Sequence, residues 1–363
     1  MDFGTYVKRL LFLLPLLMLS TLVQAVEVTN LYQAEVQVET RTRAERQSKI
    51  NEALVQTLVK LTGEAQIESD PRLKGMLTNP TRYVTQFGYQ GEPLMLQYSF
   101  DASLLLKEMQ ARQLPIWGKQ RPLTLSWIAI EDEEAERQLL SEQGDPQRLQ
   151  RWQQQAGLRG LPLSLPLMDL EDAINVGIND VWGFFVDPVA LASERYPADF
   201  FMLAQVWPDE EGWQYNLALY PYQASQSQDR YGYASVRRSV MQKNGRAASL
   251  DDGLEALQQE LARYFARRYA TVASGEQEQQ TLVFEIRGEM SELVAVERYL
   301  KGLSAVSNVK VSALQGRQVS FSLEVVGSEQ ALEEMLNLEP KVERLPVDDD
   351  LVNQVRYRWL GDQ

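Results

Sequence analysis

The chain has 363 residues and a mass of 41.5 kDa, a length that suits two or three domains. Hydrophobic residues make up 44% and charged residues 24%, which excludes a disordered, collagenous or polytopic membrane protein. With no Cys and no His, the chain cannot form disulfides, zinc clusters of Cys and His, or any catalytic triad built on His. Its net charge of −14, from 36 basic and 50 acidic residues, should repel nucleic acid and anionic lipid.

The first 25 residues have the pattern of a cleaved export signal. Lys8 and Arg9 precede an apolar run at residues 10–19, and Val23 and Ala25 supply the small residues that signal peptidase accepts. The apolar run is shorter than the ~20 residues that span a bilayer, which disfavours the alternative of an uncleaved anchor. We therefore expect cleavage after Ala25, a mature chain without a stable transmembrane segment, and a periplasmic location, where a cysteine-free protein is common.

Residues 26–112 are predicted to form a first unit with the element order β-α-β-β-α. Apolar residues recur with helical period over residues 50–61, and Gly63 is placed to end that helix in a left-handed conformation. Two strand-like segments follow, and Asp101 is expected to cap a final helix.

Residues 113–272 are predicted to form a central unit of α/β character. Residues 123–130 are almost continuously apolar, as in a strand that is buried on both faces. The charged stretch at residues 131–151 predicts one or two surface helices, and Ser249 is expected to cap a long closing helix. Three further strands are predicted, at residues 200–207, 213–220 and 231–240.

A polar stretch at residues 273–280 predicts a linker, and residues 281–363 predict a third unit. In that unit the order strand, helix, strand, strand, helix is typical of a ferredoxin-like α+β domain. The fold class predicted for the whole chain is therefore α+β or α/β, built from three small modules of which the last is ferredoxin-like.

The strongest candidate for a catalytic or cation-binding site is an acid-rich segment in the central unit. Asp169, Glu171 and Asp172 are followed by Asp180 and Trp182. Four carboxylates beside an aromatic residue can bind a divalent cation or work as an acid–base pair. Alternatively, the aspartates cap helices and hold loops through backbone N–H groups, which is the interpretation we favour.

Two arginines are candidates for binding an anion. A buried Arg159 or Arg195 could clamp a carboxylate or phosphate through two parallel hydrogen bonds, or simply neutralise neighbouring acids. The chain lacks a Walker A sequence, a G-x-G-x-x-G fingerprint, a G-x-S-x-G elbow and an EF-hand loop. The sequence therefore predicts no cofactor, no metal site and no catalytic residue.

Several short segments resemble one bacterial family. They are residues 28–32 (VTNLY), 58–63 (LVKLTG), 117–122 (WGKQRP), 159–162 (RGLP), 166–172 (PLMDLED) and 180–183 (DVWG). Together they look like domain-of-unknown-function family 2066 (DUF2066), over roughly residues 26–270. The resemblance implies an exported protein of a Gram-negative bacterium and carries no activity with it.

We therefore expect a non-catalytic protein-binding or scaffold factor of the cell envelope, with an envelope protein as partner. One alternative is a hydrolase of an envelope polymer that uses two of the four acids, and another is a module that binds a small ligand. Geometry discriminates among them. Two carboxylates ~5–9 Å apart in an open cleft favour hydrolysis, whereas carboxylates turned onto backbone amides favour a structural loop.

Overall fold

The computed structural model describes residues 28, 30–222, 238–272, 278–326, 329–337, 341–345 and 355–361. The predicted signal peptide lies outside the described residues, as does most of the predicted linker. The described residues form three separate sheets, each packed against helices with its own buried apolar residues. The predicted α+β fold of several modules is thus confirmed.

The first sheet belongs to the N-terminal unit. Its elements are β1 (Gln33–Gln37), α1 (Arg43–Thr62), α2 (Lys74–Thr78), β2 (Val84–Gln90), β3 (Met95–Phe100) and α3 (Ala102–Ala111). The three strands form an antiparallel sheet in the order β1-β3-β2. This is the predicted β-α-β-β-α order, with the short helix α2 and three 3-10 turns added between α1 and β2.

Helix α1 fixes how the first unit meets the second. Its apolar seam is buried, and Gly63 ends it with φ = 71°, as predicted. A Cβ on Gly63 would collide with the side chain of Ala266 and lie 2.9 Å from the Ala262 carbonyl oxygen. Only glycine therefore serves both the left-handed turn and the close approach to the long helix of the central unit.

The central unit contains a mixed six-stranded sheet. Its elements are β4 (Thr124–Glu131), β5 (Arg137–Leu140), α4 (Pro146–Arg159), β6 (Leu163–Ser164), α5 (Leu170–Asn175), α6 (Ile178–Trp182), α7 (Val186–Ser193), β7 (Phe200–Asp209), β8 (Gly212–Pro221), β9 (Met241–Ala247) and α8 (Leu250–Tyr269). The strand order is β5-β4-β7-β8-β9, with β6 pairing parallel to the start of β4. Strands β4 and β7 are parallel, and the other neighbours on this path are antiparallel.

Helices cover both faces of this sheet. From β4, Ile128 and Ile130 belong to the core that contains α4 and α8, whereas Leu125 and Trp127 belong to the core that contains α6 and α7. Alternate side chains of a strand point to opposite faces, so a strand covered on both sides must be apolar at nearly every position. The prediction of a doubly covered strand at residues 123–130 is correct.

One prediction in the central unit is wrong, and another falls mostly outside the described residues. The stretch from Glu131 to Leu140 is a β-hairpin rather than a helix. Its edge strand β5 pairs with β4, and the carboxylate of Glu131 lies 2.7 Å from the Arg137 guanidinium. For the strand predicted at residues 231–240, residues 231–237 lie outside the described part and residues 238–240 are not in a strand; the described strand that pairs with β8 is β9, which begins at Met241. Both strands are at edges, where charged and exposed side chains hide the alternation that marks a strand.

The third unit is a five-stranded sheet with helices. Its elements are β10 (Glu278–Glu285), α9 (Met290–Gly302), β11 (Val306–Gln315), β12 (Gln318–Val325), α10 (Glu329–Asn337), β13 (Val342–Arg344) and β14 (Arg356–Trp359). The strand order is β11-β12-β10-β14-β13. The element order is the predicted one, but β14 runs parallel to β10, whereas a ferredoxin-like sheet is antiparallel. Among the described residues, no helix has the length and apolar character needed to cross a membrane.

One buried guanidinium joins the first two units. Arg121 is 4% exposed and donates all five of its N–H groups to main-chain carbonyl oxygens, at 2.6–3.1 Å. The acceptors are the carbonyls of Lys60, Trp117, Gly118, Arg159 and Gly160, and the guanidinium lies 3.9 Å from the Trp117 ring centroid. Three chain segments from two units therefore meet at one side chain.

A second buried cation lies beside it. Lys60 is 5% exposed, and its Nζ donates to the carbonyl oxygens of Gln33 (2.8 Å) and Asn30 (3.5 Å). Burial, together with the positive charge of Arg121, lowers the pKa of Lys60 to about 8. The same burial lowers the pKa of Arg121 below its usual range. The folded protein therefore holds two positive charges near one another, with main-chain dipoles as their acceptors.

Replacing Lys60 with Met should change how stability depends on pH. The pKa of Lys60 is about 8 in the folded protein against 10.5 ordinarily, so between these values the unfolded chain binds more protons. The free energy of unfolding should then rise with pH, by on the order of 2 kcal/mol from about pH 7.5 to 9.5, and the Lys60→Met protein should lack this rise. Urea unfolding followed by tryptophan fluorescence measures it.

The matched control is Lys107→Met, at an exposed lysine of α3, which should keep the wild-type dependence on pH. If wild type and Lys60→Met show the same slope of unfolding free energy against pH, Lys60 is not held as a buried cation.

Candidate functional site

The acid-rich segment forms the start of the helical layer over one face of the central sheet. Asp169 is the N-cap of α5, and its Oδ1 accepts the N–H groups of Glu171 and Asp172, each at 3.1 Å. The helix is short, and a side-chain acceptor for its first N–H groups stabilises such an end. The favoured interpretation of Asp169 as a cap agrees with this geometry.

Arg195 neutralises the carboxylates of this segment. Its guanidinium makes a bidentate pair with Asp169 (2.7 and 2.8 Å) and reaches Asp172 Oδ1 at 3.2 Å and Glu171 Oε2 at 3.6 Å. The hydrogen bonds from Arg195, with the amide of Asp172 adding to them, lower the pKa of Asp169 to about 2. Asp169 and Arg195 therefore remain charged and paired at neutral pH.

Asp172 is the buried member of the group. Its side chain is fully buried, and Oδ2 accepts the Tyr196 hydroxyl at 2.5 Å and the Met168 N–H at 2.9 Å. The Tyr196 oxygen in turn accepts the Leu167 N–H at 2.9 Å. Burial, with the hydrogen bond to Asp172 second, raises the pKa of Tyr196 to about 12, so the phenol stays protonated and donates. This chain of bonds holds Met168 at φ = 53°, which a non-glycine residue adopts only when its surroundings require it.

The other predicted site residues lie apart from Arg195. Asp180 accepts the Gly177 N–H at the start of α6 (2.8 Å). Trp182 lies at the end of α6, where the Arg137 guanidinium is 3.9 Å from its ring centroid and the Trp207 ring is 6.1 Å away.

Arg159 is not part of this group either. It is 7% exposed and pairs with Glu255 of α8 at 2.5 Å, with Gln155 and Gln259 as further acceptors. Helices α4 and α8 cover one face of the sheet and the α5–α7 layer covers the other. The sheet thus separates Arg159 from Arg195, and the two cannot form one anion clamp.

This arrangement gives little support to acid–base chemistry. A glycoside hydrolase needs one carboxylic acid with a raised pKa next to a second carboxylate in an open cleft. Here the pKa of Asp169 is lowered by Arg195, and Asp172 and Asp180 are turned onto backbone amides. Burial does raise the pKa of Asp199, but that carboxylate accepts the Leu123 N–H beside the first residues of β4 and β7.

The geometry also bears on cation binding. The Arg195 guanidinium stands between the three acids Asp169, Glu171 and Asp172, in the place that a shared cation would have to take. Among the described residues there is no group of three or more acidic side chains arranged to hold a metal ion. What the group can do is fix the conformation of α5 and of the turn before it.

The same helix exposes apolar side chains that were not predicted from the sequence. Leu170 is 77% exposed and Ile174 is 74% exposed; together with Asp169, Glu171 and Asn175 they line a shallow, open depression. On α7, which packs against α5, Leu191 is 60% exposed. The sequence does contain a sign of this surface, because Leu170 and Ile174 are four residues apart. A helix of six residues is too short, however, for the spacing of its apolar residues to show which side is buried.

Removing the buried carboxylate should destabilise the protein more than removing the exposed one. Asp172→Ala leaves the Tyr196 hydroxyl and the Met168 N–H without their acceptor, which should cost roughly 1.5–3 kcal/mol of unfolding free energy. Glu171→Ala, at a side chain that is 66% exposed, should leave stability nearly unchanged. Urea unfolding curves of the two variants measure the difference; equal stability of both would contradict the structural role of Asp172.

Comparison with known families adds two matches. Residues 25–118 match the family Domain of unknown function (DUF8605), and residues 280–348 match the family DUF2066. The comparison with curated proteins gave no match. The DUF2066 match lies in the third unit, whereas the segments that suggested this family lie in the first two, and those at residues 28–32, 58–63 and 117–118 fall within the DUF8605 match. The resemblance to DUF2066 is confirmed, and residues 280–348 are the part of the chain that carries it.

Proposed function

We propose that this chain is an exported periplasmic protein that acts without catalysis, as a protein-binding or scaffold factor of the cell envelope. The single observation that carries the proposal is that three of the four carboxylates predicted as site residues are engaged in holding structure. Asp169 pairs with Arg195, Asp172 holds Tyr196 and the Met168 amide, and Asp180 holds the Gly177 amide. The acid-rich segment, which was the strongest candidate for catalysis or metal binding, thus serves to hold α5 and the turn before it in place.

The composition supports the same proposal. General acid–base catalysis near neutral pH is most often carried by His, and the chain has none. A carboxylate or lysine would have to replace it with a pKa shifted toward neutrality in a cleft. Lys60 has a pKa of about 8, but it is buried at the junction of the first two units and donates to main-chain carbonyls.

Export is the part of the proposal that rests on the sequence alone. Lys8 and Arg9, the short apolar run and Ala25 support removal of the first 25 residues. The intact mass of the protein purified from its native host should match a chain that starts at or within a few residues of Val26. A mass that retains Met1 would contradict the proposed export.

A direct test separates binding from turnover. Purified mature protein is incubated with peptidoglycan, envelope glycans and peptides, and released products are sought by mass spectrometry; we expect none. In parallel, a partner crosslinked in the intact periplasm is identified, purified and shown to bind the purified protein in solution, which we expect.

Product release that is lost in Asp169→Asn, but kept in the control Asp145→Asn at the cap of α4, would replace binding with hydrolysis. Absence of both a product and a reconstituted partner would contradict the proposed role.

A further inference from the structure

Strand β2 ends the first sheet and leaves one side of its main chain unpaired. It pairs with β3, and in the part of the chain that the structure describes no group outside β3 hydrogen-bonds to the main chain of residues 85–90. A register shift lies at the start of the strand, so residues 86–90 pair with β3 in regular register. Unpaired N–H and C=O groups along such an edge are a template to which another strand can be added.

The edge of β2 also lacks the protection that the other sheet edges have. Among the described residues, the strand orders of the three sheets end in six strands, and five of these contain a charged residue: Glu35 in β1, Arg137 in β5, Lys243 in β9, Lys310 in β11 and Glu343 in β13. Charged side chains on an edge discourage pairing with another chain. The seven residues of β2 (VTQFGYQ) carry no charge, and residues 85–88 are exposed. Nothing in β2 itself therefore opposes an added strand.

Two arginines and two aromatic rings lie together on one face of this edge. Phe87 pairs with Tyr98 of β3, whose hydroxyl donates to the Arg46 carbonyl, so Phe87 and Tyr89 lie on the face that α1 covers. The Arg46 guanidinium lies 4.3 Å from the Phe87 ring centroid and donates to the Tyr89 hydroxyl at 3.4 Å. The Arg41 guanidinium lies 5.6 Å from the Tyr89 ring centroid. The two positive charges thus stand beside β2 on one face of the sheet.

Neither arginine has a carboxylate within ion-pair distance in the described part of the chain. Glu45, which lies between them in sequence, is already engaged, because its carboxylate accepts the N–H groups of Glu39 and Thr40 at 2.7 Å each. Glu35 of β1 alternates with the buried residues of that strand, so it points to the opposite face of the sheet. In a chain whose net charge is −14, this edge therefore offers two positive charges to an anionic partner.

Geometry and charge together select the occupant. A strand added to β2 lies about 4.8 Å away, and its side chains on the α1 face lie directly beside Phe87 and Tyr89. Carboxylates two residues apart on that strand share this face and suit the two guanidinium groups. A second copy of this chain, added antiparallel about a two-fold axis, would instead bring the arginines of both copies onto the same face, where like charges repel. The occupant that fits is an extended acidic segment of another protein.

We propose that β2 is the edge to which an extended acidic segment of an envelope protein is added as a strand, with carboxylates two residues apart paired to Arg41 and Arg46. This inference rests on the proposed function, because it names the edge and the partner chemistry of a binding protein.

The first test uses a random library of peptides displayed on phage, each of about 10 residues and so long enough for one strand, selected on the mature protein. We expect enrichment of sequences with Asp or Glu at i and i+2. Binding of the selected peptides, measured by fluorescence anisotropy, should fall about tenfold in Arg41→Gln/Arg46→Gln. Added salt should narrow this difference.

A second test asks whether the peptide is added as a strand. A strand at an edge directs alternate N–H groups toward its neighbour and the others away. Methylating one alternate set of peptide amides should therefore abolish binding, and methylating the other set should leave most of it. Bound peptide should slow hydrogen exchange of the amides of residues 84–90 and leave that of residues 306–315, the charged edge strand β11, unchanged.

The matched control is Arg267→Gln/Arg298→Gln, which removes the same charge at exposed arginines of α8 and α9. This variant should bind the peptides as wild type does. Circular dichroism should show that both double variants remain folded, because each change replaces a polar side chain that is exposed or half-buried with another polar one.

Three results would overturn the inference. One is selected peptides that lack the acidic pattern, that are not enriched at all, or that bind Arg41→Gln/Arg46→Gln as well as wild type. Another is an equal effect of the two sets of methylated amides, as for a ligand that is not a strand. The last is exchange in β2 that slows with rising protein concentration in the absence of peptide, which would make a second copy the occupant. The partner reconstituted after crosslinking tests the proposed function separately, since it can bind at another surface.

Discussion

The structure depends most on a buried positive charge that is satisfied by main-chain oxygens. Arg121 donates to five carbonyls, drawn from the end of α1, the end of α4 and its own segment. Carbonyls near the end of a helix are left without intrahelical donors, so the guanidinium supplies bonds that the fold would otherwise lack. Because one side chain hydrogen-bonds to the ends of both helices, it fixes the position of the first unit relative to the second.

The residues around the buried Arg121 are also closely packed. Gly63 leaves room for α8 of the central unit, and Lys60 adds a second buried cation that hydrogen-bonds toward β1. Holding two positive charges in a poorly solvated place costs free energy, and the lowered pKa of Lys60 expresses that cost. The dense set of hydrogen bonds and the packing of Trp117 on Arg121 and Phe265 offset it.

On the opposite side of the central sheet, charge is used in another way. Arg195 is partly exposed and pairs with carboxylates, of which Asp172 is fully buried, so its effect is to order α5 and the turn at Met168. Order there matters because the helix exposes Leu170 and Ile174. The sheet between the two groups keeps them independent: one fixes the units to each other, and the other shapes a surface.

The sequence by itself determined the elements with strong local signals. The apolar run of β4, the seam of α1 with Gly63 after it, the cap of α8 at Ser249 and the element order of the third unit were all predictable, because period and caps act over a few residues. The edge strands β5 and β9 were not, since their side chains are polar and their pairing comes from neighbours distant in sequence. The cap role of Asp169 could be predicted from its position before α5. Only the tertiary structure decided that Asp169 pairs with Arg195 and that Arg159 lies across the sheet. It also decided that three separate segments meet at Arg121, because burial and long-range contacts are properties of the packed chain.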